Sequence, residues 1–114
     1  MTRNGDQSVK YFAFETLTTT NTAGAAIRDN EYADRTVHIK GTFGGTTVVW
    51  EGSNDGVTYK TLTDPQGNSI STTAEIIEQV IENTTYSRPR LTGGDGTTDI
   101  DVFVICRRPN TMRT

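Results

Sequence analysis

Cysteine is almost missing from this 114-residue chain: Cys106 stands alone, so no internal disulfide can hold the fold and stability has to come from packing. Histidine is as scarce. His38, the one imidazole, falls on the outward side of an alternating strand, where it serves poorly as the base of a nucleophilic site. One His and one distant Cys also fall short of the usual structural zinc sets. Long apolar runs are absent: nothing approaches the roughly 20 residues that cross a bilayer, and Met1 to Lys10 is too polar for a secretory signal. No membrane partner is expected, and the chain is expected to stay in the compartment that makes it. Positive charge is in deficit, with 11 Lys and Arg against 14 Asp and Glu. A net charge of -3 does not draw in polyanions, so nucleic acid is not an expected partner.

What is present favours strands. Eleven glycines and many threonines suit tight turns and pleated surfaces, and the length allows one hydrophobic core. The expected organisation is a polar arm over 1–7, a single β domain over 8–108 and a tail over 109–114. Ser8 to Leu17 offers Val9, Tyr11, Phe12 and Phe14 as a first strand, and Thr18 to Ala26 reads as loop. In Thr36 to Lys40, Val37 and Ile39 alternate with His38 and Lys40, the pattern of a half-buried strand. Gly41 to Gly45 holds three glycines in five positions and reads as a hairpin turn into Thr46 to Glu51, whose Val48 and Trp50 face inward. The Asp55-Gly56 pair then leads to a strand over Val57 to Leu62, making Arg35 to Leu62 a β-meander. Asp64-Pro65-Gln66-Gly67 matches a type I turn.

Ser71 to Asn83 is ambiguous. Thr72 and Glu75 have capping-box spacing, and Ile76, Ile77, Val80 and Ile81 fit a helical stripe, yet every neighbouring segment reads as β, so a strand is favoured. Tyr86 to Leu91 is a short strand that Pro89 assigns to an edge or bulge. Asp99 to Arg108 is the clearest strand. Ile100, Val102, Val104 and Cys106 share one face, while Phe103 and Ile105 make the other face apolar too, which predicts a strand covered on both sides, inside a sandwich or against a partner. About seven to eight short strands with turns every 8 to 12 residues predict an all-β antiparallel sandwich or small jelly roll.

No catalytic constellation emerges, and neither enzymatic activity nor a cofactor is expected. Asp95, Asp99 and Asp101 cluster without a calcium-loop spacing, and aspartates beside glycine ordinarily bond their own turn. Cys106 reads as a small buried hydrophobe and Trp50 as core rather than a sugar-stacking platform. The residues left for partner contact are Arg107, Arg108 and Arg113, a basic cluster on an acidic chain, with Phe103 and Ile105 on the second face of the last strand.

Two resemblances follow. Val48 to Tyr59 with Tyr86 to Leu91 resembles the strand, turn and strand of discoidin-like jelly-roll domains, a family that often binds carbohydrate. More broadly, Gly41 to Gly45, Gly52 to Gly56, Thr63 to Asn68, Arg88-Pro89 and Thr92 to Asp99, in that order, resemble the head decoration, or cement, proteins of tailed bacteriophages. That resemblance implies a virion protein on the capsid exterior, assembled in the host cytoplasm, binding the major capsid protein and itself, commonly as a trimer. The alternative it leaves is a carbohydrate- or receptor-binding module of a phage tail.

Overall fold

The computed structural model describes residues 9–108. The arm over 1–7 and the tail over 109–114, with Arg113, lie outside the described residues. Nine strands run β1 (Val9–Ala13), β2 (Ile27–Arg28), β3 (Asp34–Thr42), β4 (Thr46–Ser53), β5 (Lys60–Thr61), β6 (Ser71–Thr72), β7 (Ile76–Val80), β8 (Tyr86–Gly93) and β9 (Asp99–Arg107), and no helix occurs among the described residues. They build two antiparallel sheets in the orders β1-β9-β3-β7 and β2-β8-β4-β5, with β6 also on β4. Taken as one interrupted strand, β5 and β6 leave four strands in each layer. The chain changes sheet at every other connection except the one into β5, which is the winding of a jelly roll.

The core lies where the period-2 patterns put it. Val37 and Ile39 of β3 and Ile100, Val102, Val104 and Cys106 of β9 are fully buried, and from the other sheet Val48, Trp50 and Leu91 meet them. Phe14 packs its ring edge-on to Trp50, with centroids 5.7 Å apart. Leu17 closes the sheet edge beyond β1 by exchanging backbone hydrogen bonds with Ile100.

Three expectations need correction. The first is the meander: β3 and β4 do not pair. β3 bonds to β7 and β9, whereas β4 bonds to β8, β5 and β6, so Gly41 to Gly45 is a crossing between layers and not a hairpin. Its glycines still do conformational work, since Gly41, Gly44 and Gly45 have φ of 133°, 57° and 86°. The second is the strand over Val57 to Leu62, which shrinks to β5. The Asp55 carboxylate accepts hydrogen bonds from the Val57 and Thr58 amides, both at 2.8 Å, so those donors are taken by a turn and Val57 is left 82% exposed. The third is Pro89. β8 is not an edge strand; it runs along β4 from Tyr86 to Gly93, and β2 covers only Tyr86 and Ser87 on its other side. At Pro89 that side carries a single bond, from the Gly24 amide to the Pro89 carbonyl, so the proline sits where a ladder donor is dispensable.

Other readings hold. The 71–83 segment forms β7, whose Ile76 and Val80 turn inward. The type I turn is closed by Gly67 donating to the Asp64 carbonyl at 2.9 Å. Between the sheets, Arg35 is fully buried on β3 and donates to Asp29 at 3.1 Å, while Ser87 of β8 donates to the same carboxylate. Burial pushes the Asp29 carboxyl above its ordinary range even with Arg35 beside it.

Candidate functional site

The four-stranded sheet has an outer face that no other part of the described chain covers. Residues on that face follow from register. Across β1, β9, β3 and β7 one row reads Ala13, Phe103, His38 and Ile77, and the next reads Tyr11, Ile105, Thr36 and Gln79. Tyr11 stacks on Phe103 with centroids 6.0 Å apart and planes 15° apart, and Lys40 holds its ammonium 5.7 Å from the same ring. All of these but Ala13 and Gln79 line a shallow depression of about 450 Å³. Tyr11 is 59% and Ile77 64% exposed, so the apolar area belongs to the surface. β9 is therefore central in its sheet and buried on its inner side, while its outer side is half-buried among its own neighbours.

Phe103 and Ile105 thus come together as expected, and they gain two partners that sequence reasoning missed. Tyr11 was readable, because it shares the outward side of β1 with Val9 and Ala13 while Phe12 turns toward the core. Ile77 was hidden in the segment that also fitted a helical stripe, although a strand was favoured there.

The arginines divide. Arg107 ends β9 on the same outer face, exposed and opposite Asp34. Arg108 instead reaches Glu31 and lies over the Tyr32 ring at 5.6 Å, so its charge is engaged within the chain. A second cationic group lies on the other sheet, where Arg88 and Arg90 both hold Glu51 and Arg88 stacks on Tyr59 at 3.9 Å. On the first sheet's face, His38 is paired with Glu75 at 2.8 Å.

The carboxylates considered for calcium stay apart in role. Asp95 binds the Thr97 amide and hydroxyl of its own turn, which holds it below the ordinary carboxylate range. Asp101 accepts from Thr16 at 2.8 Å. No group of three or more His, Cys, Asp or Glu among the described residues is placed to hold a metal ion. Burial pushes the Cys106 thiol up to about 12, reinforced by nearby Asp29, so it is no nucleophile. Trp50 is wholly buried and cannot stack on a sugar. A further hollow of about 450 Å³ opens between β1 and the 21–27 segment, walled by Phe12, Phe14, Ala23 and Ile27.

No family model matches the sequence, and no curated protein matches it. Among solved structures, the SPBc2 prophage-derived protein YomS is similar in fold, with a TM-score of 0.64 and 18% identity over 86% of this chain and 91% of that one. At that identity the likeness establishes a shared β-sandwich architecture over nearly the whole of both chains.

Proposed function

We propose that this chain is a structural protein of a bacteriophage particle that attaches to the outer surface of the capsid as a decoration protein. The observation that carries the reading is the jelly-roll core it shares, almost end to end, with a prophage-derived protein, joined to an open apolar sheet face. Jelly rolls recur among viral capsid domains. Decoration requires adhesion alone: a protein that binds only the assembled shell stabilises that shell by mass action.

Phe103, Ile105 and Arg107 supply contact area toward neighbouring subunits, and Arg108, tied to Glu31, adds to the same end of the molecule. The tail-module alternative has less to stand on, since the sugar platform it needs is not offered by Trp50. The test is to mix the purified protein with undecorated heads and image them by electron microscopy. Regular added density on the capsid is expected; bare heads at saturating protein would overturn the reading.

A further inference from the structure

The outer face of the β1-β9-β3-β7 sheet carries a pattern of charge that complements itself. On one side of the apolar rows, β9 presents Asp101 beside Lys40 of β3; on the other, β9 presents Arg107 beside Asp34 of β3. The four positions make a square of alternating sign, with Phe103 and Ile105 along its β9 side and His38 and Thr36 along its β3 side. Lys40, Asp34 and Arg107 are exposed, and none of them forms an ion pair among the described residues.

We propose that this face binds a second copy of the chain, face to face about a two-fold axis lying in the interface and perpendicular to the strands. That operation reverses the rows and keeps the columns. β9 lies over the second copy's β9, so Phe103 meets Ile105 twice and Arg107 meets Asp101 twice, while on β3 Lys40 meets Asp34 twice. A two-fold axis parallel to the strands would also match the charges, but it would put Phe103 over His38 and Ile105 over Thr36. The row-reversing arrangement places apolar on apolar and is the one favoured.

Size sets the strength of this pairing. Four strands about 4.8 Å apart and a run of about 20 Å along them offer roughly 400 Å² per copy, about 800 Å² in total, which is the size of a weak, transient interface. The dimer accordingly exchanges with monomer, and salt weakens it through its charged rim. This inference uses the same face as the capsid reading, and the two are told apart by their tests: sedimentation reads the dimer with no head present, and imaging of heads reads attachment.

Sedimentation equilibrium over a concentration series tests it, with thermal melts confirming that each variant is folded. Wild type is expected to move between monomer and dimer. Lys40→Asp, which sets two like-charged pairs in contact, and Phe103→Asp, which puts charge in the centre, are each expected to weaken association about tenfold or more. Adding Asp34→Lys to Lys40→Asp is expected to restore the dimer. A wild type that stays monomeric, a trimer, or a dimer indifferent to both single variants would overturn the proposal. Failure of the Asp34→Lys swap to rescue would overturn the row-reversing arrangement.

Discussion

Asp55 controls more backbone than its exposed position implies. Its carboxylate accepts from the Thr58 and Val57 amides and the Ser53 hydroxyl, while the Ser53 oxygen accepts from the Asp55 and Gly56 amides. Hydrogen bonds to the ionised form favour it, so the Asp55 pKa lies below its ordinary value of 3.8. A carboxylate with a depressed folded-state pKa stabilises above the unfolded value and loses that contribution as pH falls through the folded one. Asp55→Asn is therefore expected to lower the melting midpoint by a few degrees at neutral pH, with the gap closing as pH drops below 3.8. Melts of both proteins across that range check it; a gap independent of pH would contradict the assignment. The same residue explains why Val57 to Tyr59 is not strand: β-forming side chains were legible, but amides already bonded to a turn carboxylate cannot join a ladder.

At the scale of elements, β3 and β9 were readable because period-2 alternation, over Thr36 to Lys40 in the one and Asp99 to Arg108 in the other, fixes which side is buried whatever the partner. Their connections were not. A glycine cluster states that the chain turns, not whether the strands on either side bond to one another, and Gly41 to Gly45 sends β4 into the opposite sheet. Gly41 also has a packing reason to lack a side chain: a Cβ there would lie 2.1 Å from the Asp99 carbonyl oxygen of the neighbouring strand, at a φ of +133°. Gly41→Ala is expected to cost about 2–4 kcal/mol, through backbone strain and displacement of β9, measured by denaturant unfolding. A loss comparable to a surface substitution would show that the crossing can relax. β7 was decided by context: its inward Ile76 and Val80 fit either period, and pairing with β3 over five residues settled it as strand.

On the scale of the whole molecule, the two layers are joined by a polar link as well as by the core. Asp29 lies in the loop after β2, Arg35 in one sheet and Ser87 in the other, all fully buried. The Arg35 Nε and one terminal nitrogen find no hydrogen-bond acceptor among the described residues, so this pair is incompletely compensated. Asp29→Ala is expected to cost about 3–5 kcal/mol because it strands a buried guanidinium. Asp29→Ala with Arg35→Met is expected to recover most of that loss, since removing both charges removes the desolvation cost of each. Urea unfolding of the single and double variants decides it; equal losses would show that the link holds the layers by more than charge.

By itself the sequence determined the class of fold, the inward faces of the long strands, the burial of Trp50 and Cys106 and the outward position of Phe103 and Ile105, because each is a consequence of period-2 alternation or turn chemistry within a few residues. Which strands share a sheet, how short β5 is, where Arg108 spends its charge and how Tyr11 and Ile77 complete an apolar face were decided only by the tertiary structure. Those features depend on residues far apart in the chain meeting through backbone pairing, and a strand's own side chains do not name the strand it will bond.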